Sequence, residues 1–170
     1  MKKIFLLFIT TVVLSSCGGN KKKEMEEIEI TKINKFSIIM DAIYEKDDSI
    51  VIFNKIGENY LYDKPTSFKV KGSALIQRLT INIPEGVAAN NFSIVTSHNK
   101  EQKYLTIKNI SIKDNDLLVV DGDNYKYNDY FMADASFIWD PKLLRCNLVH
   151  TNKYEPGLVG NEKIEALLSK

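Results

Sequence analysis

The stretch YLTIKNISIKDN, Tyr104–Asn115, decides how the chain folds. Leu105 and Ile107 share one parity, and Ile110 and Ile112 share the other. Side chains alternate between the two faces of a strand, so an unbroken strand would send one pair to the core and the other to solvent. One extra residue brings both pairs back to a single face. A β-bulge does this, and so does a bend where a strand passes between two sheets. The sequence therefore predicts a bulge or bend near Lys108 and Asn109.

The same period of two runs through the neighbouring segments. LTINIP sets Leu79, Ile81 and Ile83 against Thr80 and Asn82, and Pro84 and Gly86 stop the strand. FKVKG turns Phe68 and Val70 inward with Lys69 and Lys71 outward, and NFSIVTS turns in Phe92 and Ile94. SIVIFNKI is apolar on both faces from Ile50 to Phe53, as in a central strand or one lying under a helix. LLRCNLV places Leu144, Cys146 and Leu148 on one face, and Cys146 reads as a small buried residue. MDAIYEK, from Met40, fits either a helical turn or a strand. DKPTS, IPEG, KDND, DGDN and WDPK supply turns. One helix is predicted, at the C-terminus, with Asn161 as its cap, Glu162 in its first turn and Ile164, Leu167 and Leu168 as its apolar stripe. Its expected role is to cover an open end or edge of the strands. Many short strands with no long amphipathic stretch between them predict an all-β fold. The expectation is an antiparallel β-sandwich, jelly-roll or immunoglobulin-like, with a short C-terminal α-helix.

The chain opens differently. Met1, Lys2 and Lys3 precede an apolar run from Ile4 to Leu14, and small Ser15 and Ser16 lead to Cys17. A basic start, a short apolar core and small residues are the parts of a secretory signal peptide. The run is shorter than the ~20 residues that span a bilayer. Its end, LSSC, resembles the lipobox of bacterial lipoproteins. That resemblance implies cleavage before Cys17, diacylglyceryl attachment to its sulfur and acylation of the freed amine. The expected organisation is a signal peptide over 1–16, a lipidated tether over 17–27 and one domain over 28–170. Two or three acyl chains hold a protein on a membrane far more firmly than one. Lys21, Lys22 and Lys23 fit either a solvated spacer or contacts with anionic headgroups. Gly18, where Asp would imply inner-membrane retention in such lipoproteins, points to the outer membrane.

Lys2 and Lys3 account for two of the 23 basic residues, which leaves 21 against 22 acidic ones in the mature part. These charges are interspersed without a basic stripe, so nucleic acid is not an expected partner. Nor is a catalytic site expected. His98 and His150 lack metal-ligand partners at standard spacing, KGSAL lacks the second glycine of a nucleophile elbow, and no phosphate-binding glycine loop occurs. No cofactor or metal is expected. Asp121 and Asp123 begin like an EF-hand, but Tyr125, Lys126 and Met132 stand where an oxygen ligand, glycine and glutamate belong. An irregular calcium site stays open.

The richest polar cluster is KDNDLLVVDGDNYKYNDYF. It is either two polar turns around a hairpin or a ligand patch. Tyr125, Tyr127 and Tyr130 beside Asp121 and Asp123 have the residue types of a sugar site, with aromatic platforms flanked by groups that pair with hydroxyls. Trp139 in SFIWDP is a further platform or an anchor at the sandwich end. LTINIPEG, IKNISI and YEPG resemble features of small carbohydrate-binding-like β-sandwich modules in envelope lipoproteins. The resemblance implies glycan as a ligand. The alternative partner is another envelope protein, met through a strand edge or an apolar patch.

Overall fold

The computed structural model describes residues 35–151 and 155–169. The signal 1–16, Cys17 and the tether 17–27 lie outside the described residues. The first six strands are β1 (Phe36–Tyr44), β2 (Asp48–Ile56), β3 (Asn59–Tyr60), β4 (Thr66–Val70), β5 (Gln77–Asn82) and β6 (Asn91–Val95). Then come β7 (Tyr104–Asp114), β8 (Leu117–Val120), β9 (Phe131–Ala133), β10 (Phe137–Asp140), β11 (Arg145–Leu148) and β12 (Gly157–Gly160), with helix α1 over Glu162–Leu168. They form two antiparallel sheets packed against each other. One has the order β10-β11-β7-β1-β5, with β8 on β7; the other has the order β3-β2-β6-β12-β9, with β4 on β2.

The inner rows explain why the sheets stack. Ile38 stands between Ile81 and Ile112, and Met40 between Leu79 and Ile110. Ile52 faces Ile94, which faces Leu158. All nine side chains are buried. MDAIYEK resolves as strand, because Met40, Ala42 and Tyr44 continue the inward parity of β1. SIVIFNKI resolves as a central strand, flanked by β6 on one side and by β3 and β4 on the other.

The predicted bulge is present. Asp41 of β1 pairs with Asn109 and the next residue, Ala42, pairs with Ile107, so Lys108 has no opposite number. Leu105, Ile107, Ile110 and Ile112 are all buried as a result. The strand does not change sheets; it stays beside β1 on both sides of the bulge.

α1 begins where predicted, with the Asn161 side chain accepting from the Lys163 N–H. Ile164 is buried, and Leu167 and Leu168 pack against the core. The helix touches β8 of one sheet and β6 and β12 of the other, and so closes one end of the sandwich.

One strand residue is corrected. Leu144 does not share a face with Cys146 and Leu148. It lies in the β10–β11 turn at φ 49 and is half exposed. Only Cys146 and Leu148 point inward. Burial alone pushes the Cys146 thiol up to about 12, which keeps it protonated and inert.

Candidate functional site

The bulge and the polar cluster form one feature. Residues 121–130, between β8 and β9, lie as a strap on β7 at the bulge. The Tyr125 N–H donates to the Lys108 carbonyl at 2.9 Å, and the Gly122 N–H donates to Ser111 Oγ at 3.1 Å. Gly122 is required by proximity, since a Cβ there would stand 2.0 Å from the Ile110 carbonyl oxygen. Behind the strap a polar chain crosses the outer face of the sheet. Ser111 Oγ donates to Asn109 Oδ1 at 2.6 Å, and Asn109 Nδ2 donates to Asp41 Oδ2 at 3.2 Å. Arg78 grips Asp41 with two bonds of 2.8 Å. The Arg78 guanidinium, helped by Asn109 and opposed by burial, holds the Asp41 carboxyl below its ordinary value.

The strap's backbone is strained. Asn124 and Tyr125 both have positive φ, 53 and 66. Left-handed geometry costs of order 1–3 kcal/mol at a non-glycine residue and persists only where neighbouring bonds enforce it. The bond to the bulge carbonyl is such a constraint. It leaves the Tyr125 ring edge-on to Trp139, with centroids 6.0 Å apart.

The candidate ligand residues are sorted accordingly. Tyr125 is half-buried and Trp139 is 40% exposed, so this pair offers aromatic surface. Asp121 and Asp123 are exposed on the strap. Asp121 accepts from the Asp123 N–H at 3.2 Å and lies 3.8 Å from Lys126 Nζ. Tyr130 is half-buried against the core, and its carbonyl accepts from the Asn161 N–H at 2.8 Å. Tyr127 is corrected. It is 1% exposed, sits in a short 3₁₀ turn and is part of the core, so its ring offers no platform. Burial also holds its hydroxyl well above the ordinary tyrosine value.

Beside the strap a depression of about 380 Å³ is lined by Asp41, Ile76, Gln77, Arg78, Lys108 and Asp123. The bulge places Lys108 there. Carboxylate, amide, ammonium and guanidinium groups thus surround one hollow and suit a polyhydroxylated ligand. On the other side, β10 is an edge strand. Ile138, Leu143 and Leu144 are exposed there beside Trp139.

Both histidines sit near Asp48, at the start of β2. The Asp48 carboxylate accepts from Ser97 Oγ at 2.5 Å and from the N–H groups of Ser49, His98 and Asn99 at 2.8–2.9 Å. His150 Nε2 lies 3.5 Å from Ser97 Oγ and 3.3 Å from the Gln102 carbonyl oxygen, while His98 Nδ1 lies 2.6 Å from Glu155. Ser97 is fully buried and donates to Asp48 rather than to histidine, so it is not arranged as a nucleophile with a base. The carboxylate ties the β6–β7 loop to β2. Among the described residues no group of three or more His, Cys, Asp or Glu is placed to hold a metal.

Two features escaped the sequence reading. Phe53, Tyr62 and Tyr60 form an aromatic row on the second sheet, with centroid separations of 5.1 and 6.0 Å and Tyr62 well exposed. The alternate tyrosines of NYLYD were its only signal. The other is Asn54, a buried polar residue at the inward parity of Ile50 and Ile52.

No family model matches the chain, and neither a curated protein nor a solved structure matches it.

Proposed function

We propose that this chain is a lipoprotein anchored through Cys17 in the outer membrane, and that its sandwich is a non-catalytic binding domain whose ligand is a glycan. The observation that carries the ligand is the partly exposed Tyr125–Trp139 pair at the sheet edge, with Tyr125 held on a strained strap whose Asp123 also lines a hollow with Asp41, Gln77, Arg78 and Lys108. Sugar rings stack on aromatic faces, and their hydroxyls pair with such side chains. Strain held by surrounding bonds is typical of ligand sites. The anchor rests on LSSC and the segment before it. Binding rather than catalysis is favoured because the best-placed polar constellation, around Asp48, is occupied in tying a loop.

A second reading uses the same side of the molecule. The β10 edge is open, and Ile138, Leu143 and Leu144 expose apolar surface next to Trp139. Such an edge suits an added strand from another envelope protein.

A glycan array with the mature, lipid-free chain separates the two. The glycan reading expects selective binding that Trp139→Ala abolishes and Ile138→Glu leaves intact. No glycan bound, together with a purified envelope partner that loses affinity for Ile138→Glu, gives the second reading. For the anchor, mass spectrometry of the mature N-terminus is expected to find a lipidated Cys17. An unmodified Cys17, or an uncleaved leader, overturns it.

A further inference from the structure

The chain enters the sandwich beside an exposed apolar hairpin tip. Lys35 is the first described residue, and its carbonyl accepts from the Asn115 N–H at 2.8 Å. Asn115 and Asp116 turn the chain from β7 into β8, and Leu117 and Leu118 follow at once. They oppose Asp114 and Lys113 of β7, so the tip carries a leucine on each face. Leu117 is 68% exposed and Leu118 48%. Ile56 is also exposed at this end, where it lines a hollow with Leu168 of α1, the helix that touches β8.

The place of the tip, more than its exposure, indicates what covers it. Residues 17–34 span at most about 65 Å even when fully extended, so a lipid on Cys17 keeps Lys35 and the tip within that reach of a bilayer. Two leucines give a free protein only weak adhesion to lipid. On an anchored chain the same contact is intramolecular, and the effective concentration of the surface is high. Charge sets the kind of lipid. Lys35 and Lys113 balance Asp114 and Asp116 around the tip, so it has no net attraction for an anionic surface and matches zwitterionic headgroups.

We propose that the β7–β8 tip docks the domain onto the membrane that holds Cys17, with Leu117 and Leu118 at the boundary between headgroups and acyl chains of a zwitterionic leaflet. The proposal rests on the anchor reading and is independent of the glycan. It also orients the domain. Ser73 donates its N–H to the Tyr44 carbonyl at the far end of β1, and Leu75 and Ile76 are exposed just beyond it. Nine residues of β1 separate the two ends by about 25–30 Å, so Leu75 stays in water although it is as exposed as Leu117.

The test holds the mature chain on phosphatidylcholine vesicles through a hexahistidine segment in place of Cys17 and nickel-chelating lipid. A nitrobenzoxadiazole label is placed at Asp116→Cys or, in a second sample, at Leu75→Cys. Cys146 is buried and its thiol inert, so the introduced cysteine alone takes the label. The label at 116 is expected to shift to the blue on vesicles and to be quenched by doxyl-labelled phosphatidylcholine, while the label at 75 does neither. Leu117→Asp with Leu118→Asp should remove both signals at 116 while the chain stays on the vesicles and folded. A label at 116 that neither shifts nor is quenched overturns the proposal without need of a variant. Equal responses at 116 and 75, or a response that survives both aspartates, also overturn it. The nickel lipid stands in for the acyl chains, so these results are independent of the native state of Cys17, which the mass spectrum of the N-terminus reports separately.

Discussion

The strap and the cavity are built in opposite ways. At the strap, polar groups are joined to each other, from Arg78 through Asp41, Asn109 and Ser111 to Gly122, and the Tyr125 and Trp139 rings are left partly exposed. At a cavity of about 560 Å³ between the end of β2, the β3–β4 loop and the β5–β6 connection, the walls are apolar, and the Asn54 carboxamide oxygen buried behind them lacks a partner. The strap is thus complete without a ligand and presents a stiff surface. The cavity wall instead holds an unpaired buried oxygen that the fold itself carries. Rigid aromatic surface suits a ligand held by stacking and hydroxyl contacts, whereas an unpaired buried oxygen is a stability cost that an apolar side chain would remove.

The contrast breaks most readily at Gly122. Gly122→Ala forces a methyl onto the Ile110 carbonyl, so the strap must lift. A loss of about 3 kcal/mol is expected in urea unfolding, at the high end for overpacking. The gap between Tyr125 and Trp139 should open with it, while the cavity stays unchanged.

Asp41→Asn is the next largest. It removes the carboxylate that Arg78 and Asn109 share, at an expected cost of about 1–2 kcal/mol. The pH dependence follows from the lowered Asp41 value. A carboxyl lowered on folding contributes stability above its unfolded pKa of about 4. That contribution is lost as pH falls through the folded value. Stability of the unsubstituted chain should therefore fall below about pH 4, and the slope should be shallower in Asp41→Asn.

The smallest effect is expected at the cavity. Asn54→Leu removes an atom that nothing satisfies, so stability should change by less than about 1 kcal/mol, and upward if at all. A large loss would mean that the carboxamide holds the fold, and the difference between strap and cavity would disappear.

The sequence made the frame legible because its signals were periodic. The parity change between Ile107 and Ile110 located the bulge at Lys108, and Asn161 with Ile164 located the helix. The strap was legible in composition but not in geometry. Tyr125, Tyr127 and Tyr130 look alike in sequence, yet a 3₁₀ turn sends Tyr127 into the core while left-handed backbone turns Tyr125 toward Trp139. Neither conformation has a period to read. Leu144 was misplaced because a turn at φ 49 followed strand-like alternation. Asn54 was readable in principle, as a polar residue at inward parity, but the two-faced apolar pattern of β2 hid which parity was inward.

Trp139 is the only tryptophan, so its fluorescence reports on the proposed binding face alone. The most direct test is its emission during titration of the mature chain with the glycan selected on the array. The account predicts a saturable change in Trp139 emission, with affinity lost in Tyr125→Ala while the fold is kept. A glycan that binds without altering Trp139 emission, or that binds Tyr125→Ala equally well, would contradict it.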